Sequence, residues 1–173
     1  MNSKRLLRSF VVLPGIALLL IPVLIVWLTR GADWTSSLAR PDQAQFWLGL
    51  LAGLLGTWLA LASVSTMLRY GEGTPAPWEP THKLVLRGPY RYVCNPMMIG
   101  VMLLLLAEAF LLQSWGIAIW LAVFLLLNVI YLPRVEEKGL EQRFGEDYRQ
   151  YKANVPRWIP RTRPWQGPTP PNL

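Results

Sequence analysis

The sequence predicts an all-α, multi-pass membrane protein. It reads as about four transmembrane helices followed by a C-terminal amphipathic helix at the interface. Three observations carry this reading. Hydrophobic residues make up 53% of the 173 and charged residues only 16%, against about 25% in an ordinary soluble domain, and mean hydropathy is +0.29. The stretches Ser9–Thr29, Gln43–Leu68 and Tyr92–Pro133 hold no charge except Glu108. The bases cluster between and after these stretches.

A membrane span needs about 20 apolar residues, with a lower limit near 17. The first stretch gives a span at about 10–28 and the second one at 46–67. The third is long enough for two spans, 96–112 and 116–132, parted by the polar and small cluster Gln113-Ser114-Trp115-Gly116, which reads as a tight turn. A secretory signal competes for the first span, because Lys4, Arg5 and Arg8 precede it. The apolar run exceeds the usual ~7–15 residues and no small-x-small site follows it, so a retained helix is expected. Pro14 and Pro22 are expected to kink it. The second span carries Gly49-x-x-x-Gly53 and then Gly56, a spacing that lets helix backbones approach. Packing within the bundle is favoured over a homodimer seam on the Gly49/Gly53 face.

With both termini and the Arg69–Asn95 loop on one side, all but two of the 17 lysines and arginines, Arg30 and Arg40, share that side. The positive-inside rule makes it cytoplasmic, and the expected location is the plasma (inner) membrane of a prokaryote. The net charge of +7 then reflects topology and attraction to anionic membrane lipids rather than nucleic acid, for which no role is expected. One Cys and one His rule out an intramolecular disulfide and leave no expectation of a metal site.

The loop contains "GEGTPAPWEPT", whose prolines exclude a helix, and Lys83–Leu86 reads as a brief extended piece. Asn95-Pro96 reads as a helix start, with Asn as N-cap and Pro in the first turn. Arg87 and Arg91 stand just upstream of that start, a position suited to an anion. A lipid phosphate is the simplest occupant. After the fourth span, Leu140, Phe144, Tyr148, Tyr151 and Val155 step at helical spacing, giving an amphipathic helix at about 134–155 that Gly145 bends. Residues 1–161 form a single domain, and 162–173 read as a Pro-rich flexible tail. Glu136 and Glu137 emerge from the last span among bases, as a site for a cation or for sugar hydroxyls. Glu108 lies near the far end of its span and reads as structural, bonded to Asn128 or Trp120.

The segments "GTPAPWEPTHKLVLRGPYRYVCNPMMIG" and "EEKGLEQRFGEDYRQYKANVPRWIPR" closely resemble the isoprenylcysteine carboxyl methyltransferase and phospholipid methyltransferase superfamily, over about Tyr70 to Arg161. The resemblance implies an integral-membrane methyltransferase that uses S-adenosyl-L-methionine at the cytoplasmic interface. It implies cofactor contacts from Gly88, Pro89, Tyr90, Arg91, Tyr92, Asn95, Pro96, Met98, Gly100, Glu136 and Glu137. Arg91 and Glu137 are the candidates for catalysis, Glu137 as the base toward an amine acceptor. Cys94 stands where relatives carry Arg, and Met98 where they carry an aromatic residue. The implied partner is a lipophilic methyl acceptor: an isoprenylcysteine-like carboxylate, a phospholipid amine or a small hydrophobic metabolite. A non-catalytic membrane module of the same fold and a membrane reductase with a similar C-terminal part are the competing readings.

Overall fold

A computed structural model describes residues 15–29, 37–71 and 81–167. Among them every regular element is helical. Helix α1 opens with a π-type turn over Ile16–Leu20 and continues over Ile21–Leu28. The remainder of the expected first span, with Pro14, lies outside the described residues. Pro22 explains the wide turn. In π register its missing N–H would have met the Ala17 carbonyl, and that orphaned oxygen accepts instead from Trp120 Nε1 at 3.1 Å.

Helix α2 (Ala44–Tyr70) is 27 residues long, about 40 Å at 1.5 Å per residue. Helix α3 (Pro96–Leu111) runs back against it. The antiparallel contact depends on small residues. A Cβ on Gly49 would lie 2.7 Å from Leu111 Cγ, one on Gly56 2.9 Å from the Gly100 oxygen, and one on Gly100 2.9 Å from Ala60 N. The face that a seam between two copies would need is therefore filled by α3 of the same chain.

A sharp turn follows, with Gln113 at φ 45° and Ser114 accepting from Ile117 N at the start of α4 (Trp115–Tyr131). Side chains knit this end of the bundle: Ser37 Oγ donates to Gln113 Oε1 at 2.7 Å, and Gln113 Nε2 donates to Gln43 Oε1 at 2.6 Å. Glu108 does not bond the expected neighbours. Asn128 Nδ2 donates to the Phe124 carbonyl, and Trp120 serves Ala17. Each donor found a nearer backbone acceptor, and Glu108 Oε2 is buried without a hydrogen-bond partner among the described residues.

The helix expected as the fourth span runs into the C-terminal helix without a loop, and the helical path breaks only at Gly145. A π-type turn over Leu132–Glu136 carries the chain past Pro133, and α5 (Glu137–Asn154) follows without a loop. The bend at Gly145 is real, with φ 54° and ψ −125°. Two helices, Ala44–Tyr70 and the continuous Trp115–Asn154, are long and apolar enough to cross a membrane. Only 22% and 17% of their apolar windows are buried by the chain itself, whereas the core helix of a soluble protein would be covered.

Candidate functional site

At the end of the bundle where α2 finishes and α3 begins, the chain folds a 3-10 turn over Gly88–Arg91. Gly88 sits at φ 55°, a conformation that favours glycine, and a Cβ there would lie 2.8 Å from Thr66 Oγ1. Local bonds hold the turn: Tyr90 N donates to Arg87 O, and Tyr92 N and Val93 N both donate to Pro89 O.

The loop is then fastened to the end of α5 and the chain beyond it. Tyr151 Oη donates to the Tyr90 carbonyl at 2.7 Å. Cys94 N donates to Pro156 O at 2.9 Å, Cys94 Sγ donates to Val155 O at 3.1 Å, and Asn95 Nδ2 donates to Arg157 O at 3.4 Å. Asn95 thus occupies the N-cap position without capping, because its side chain is committed to Arg157. Tyr148, Tyr151 and Val155 form a small core, against which Leu84, Leu86, Cys94 and Trp165 pack. The apolar face of α5 is covered by this loop. Burial pushes the Tyr90, Tyr148 and Tyr151 hydroxyls up, so they remain neutral donors. Burial likewise raises the Cys94 thiol to about 11, which keeps it from acting as a thiolate nucleophile near neutral pH.

The two acids of the Glu pair behave differently. Glu137 has a side chain only 9% exposed, and both its oxygens are engaged by Arg157, NH2 to Oε2 at 3.0 Å and Nε to Oε1. Lys152 Nζ lies 3.9 Å from Oε2 and also bonds Glu141. That pairing ties the carboxylate up in structure and weakens its candidacy as a free base. Glu136 forms no ion pair among the described residues. Burial holds its carboxyl above the usual range, with Arg143 pulling it down and Glu137 pushing it up.

On the other flank, a cavity of about 610 Å³ is lined by Arg69, Arg87, Arg91, Gly88, Thr66 and Gln166, among others. Of the residues expected to bind a cofactor, Gly88 and Arg91 line it, and Glu136 and Glu137 do not. Tyr90 and Pro96 are buried, and Tyr92 is 38% exposed. Pro89 and Met98 are half-buried beside them. Gly100 serves the α2–α3 contact. The motifs meet through backbone and hydroxyl contacts, but Arg91 and the Glu pair do not share this cavity.

The expected tail is docked as far as 167. Arg91 and Trp165 exchange two bonds, Arg91 Nε to Trp165 O at 2.6 Å and Trp165 N to Arg91 O at 2.9 Å. The Trp165 ring lies 5.8 Å from that of Tyr151, and Arg161 N donates to Tyr92 O at 3.0 Å. Sequence reasoning passed over Arg157, Trp165, Thr66 and Arg69. The first lies in the stretch "NVPRWIPR", where a basic residue beside an aromatic after a helix end was the available signal.

A family model described as phospholipid methyltransferase matches residues 44–147. The chain is also 38% identical over 65 residues to an uncharacterized protein of Haemophilus influenzae, a match covering 36% of this chain and 100% of that protein. The family match takes in α2, the Gly88–Arg91 turn, α3, α4 and the Glu pair, more than half of the residues, and the chain belongs to the phospholipid methyltransferase family.

Proposed function

We propose that the protein is a four-span membrane enzyme with both termini on the cytoplasmic side, which transfers a methyl group from S-adenosylmethionine to a lipophilic acceptor at that interface. The observation that carries this reading is the fastening of the 88–95 loop to the end of α5 through Tyr151, Cys94 and Asn95. It draws the two family motifs to one end of the bundle. α1 and α3 supply the two shorter spans, and α5 lies along the headgroups.

The residues present suit the donor. Arg91 is a partner for its carboxylate, and Glu136, half-buried and without an ion pair among the described residues, is a partner for ribose hydroxyls, although the two do not line one cavity. When bound, the donor supplies an electrophilic methyl group on a sulfonium. The chain's own work is positioning: Arg157 ties the chain beyond α5 back to Glu137 in that helix's first turn, Tyr151 holds the loop, and the Tyr90–Tyr148–Tyr151 cluster keeps that flank dry. Alignment of this kind contributes on the order of 7–11 kcal/mol to a bimolecular transfer. With an amine acceptor, Glu136 is the better placed of the two acids to receive a proton, since Glu137 is taken up by Arg157.

One observation favours the non-catalytic reading, the engagement of both Glu137 oxygens. A single experiment separates the two. Detergent-purified protein is titrated with S-adenosylmethionine and its demethylated product by thermal shift, and labelled methyl transfer to a total lipid extract is counted. Stabilisation that disappears in Glu136→Ala, with label in the lipid, supports the enzyme. No shift at millimolar donor and no labelled lipid support the non-catalytic module.

A further inference from the structure

The basic cavity at the end of α2 has a chemistry of its own. Arg69 comes from the last turn of α2, and Arg87 and Arg91 come from the loop. The Arg87 guanidinium stacks 4.7 Å over the Tyr70 ring, which fixes it in place. Arg91 spends only Nε on Trp165 and keeps its two terminal nitrogens without a hydrogen bond to a described residue. No carboxylate appears among the described lining residues. A second hollow of about 360 Å³ adjoins it, sharing Arg69, Tyr70, Leu86 and Arg87 and adding Lys83.

With Arg91 left for a donor carboxylate, the guanidiniums of Arg69 and Arg87 remain on the same hollow. They match the several oxygens of a phosphate, which arginine forks bind in bidentate fashion. The position of the cavity fits a lipid source. Arg69 stands directly after the apolar run of α2, whose outward residues Trp58, Leu61 and Leu68 are 65%, 64% and 40% exposed. Acyl chains lying along that face would bring a phosphate to the level of the arginines. The lining also predicts a preference among lipids. A zwitterionic headgroup carries an ammonium, and the cavity offers it no described carboxylate, while the face of Tyr70 is taken by Arg87.

We infer that the cavity between the end of α2 and the Gly88–Arg91 turn binds the phosphate of an anionic phospholipid from the surrounding leaflet, held by Arg69 and Arg87. This rests on the membrane enzyme reading for its bilayer setting and leaves Arg91 to the donor.

The test uses full-length protein in detergent, with short-chain phosphatidate, phosphatidylglycerol and phosphatidylethanolamine as probes and native mass spectrometry as the readout. Inorganic phosphate is added as a competitor. Phosphatidate and phosphatidylglycerol are expected to bind at least about tenfold more tightly than phosphatidylethanolamine. Arg69→Gln and Arg87→Gln are each expected to cost about tenfold, Arg69→Lys less, and Arg163→Gln nothing. Donor binding, read by thermal shift, should be unchanged in Arg69→Gln, so the lipid site and the methyltransferase reading stand or fall separately. Equal binding of all three lipids overturns the inference. So does displacement by phosphate as effective as that by phosphatidate, which would mark a site for free anions. Loss of donor binding in Arg69→Gln with lipid binding intact would reassign the cavity to the donor and overturn it as well.

Discussion

Replacing Arg157 by alanine should destabilise the protein through Glu137. The Glu137 side chain is 9% exposed and that of Arg157 49% exposed, so the pair lies between two regimes. Exposed pairs contribute about 0–1 kcal/mol, and breaking a buried pair costs about 3–5 kcal/mol because a bare charge stays behind. Lys152, 3.9 Å from Oε2, offsets part of the loss. A cost of about 2 kcal/mol results for Arg157→Ala, or a fall in Tm of about 4–8 °C for a chain of this size. Glu137→Gln removes the charge along with the partner and should cost less, about 1 kcal/mol. The double variant should then fall well short of the sum, with a coupling of about 1 kcal/mol or more. The assay is thermal unfolding in detergent followed by tryptophan fluorescence, on all four proteins. Strictly additive losses, or an Arg157→Ala Tm within about 1 °C of wild type, would refute the reasoning.

Three further outcomes follow from the same contacts. Burial holds the Glu136 carboxyl above its ordinary 4.5. A carboxyl raised on folding favours the fold only while protonated, a contribution complete below 4.5 and lost as pH rises through the folded-state value. Glu136→Gln should therefore raise Tm near about pH 8, with the gain shrinking toward about pH 4. Gly56→Val should cost at least about 1–3 kcal/mol in thermal unfolding, because its side chain meets the Gly100 carbonyl and Leu104 N rather than movable atoms. Trp165→Ala loses the ring contact with Tyr151 and should release the segment after Arg161, seen as faster tryptic cleavage after Arg161.

The helices were legible because charge-free apolar runs of this length leave the chain few other folds. The breaks at 113–114 and 145 were legible too, since small and polar residues leave few alternatives. What escaped were features set by distant partners. Pro22 signalled a kink, but not that Trp120 would take the carbonyl it orphans. Asn95 has the chemistry of an N-cap, yet the Arg157 carbonyl claims its amide. The proline-rich stretch after 161 looked like a tail on composition. It docks through the Trp165 backbone, whose carbonyl accepts from Arg91 Nε and whose N–H donates to the Arg91 carbonyl, and Trp165 itself is a single residue without periodicity. The Glu pair was legible as two acids among bases, but its division, among the described residues, into one paired and one unpaired acid depends on Arg157, 20 residues away from Glu137.

That division bears on Cys94, the position where the resemblance implies an arginine. Cys94 packs on the Tyr148–Tyr151–Val155 core, and its thiol feels both Glu137 and Arg157. A guanidinium placed at 94 would lie within reach of the same carboxylate that Arg157 now neutralises. Positions 94 and 157 are then alternative sources of one cation. Cys94→Arg alone should be destabilising by about 1–3 kcal/mol, from overpacking against two tyrosines and from loss of the bond to Val155 O. In the Arg157→Ala background the same change supplies the missing partner for Glu137. The double variant should be no less stable than Arg157→Ala and should recover part of its Tm deficit. Costs that simply add would mean that Glu137 does not need a cation from either position.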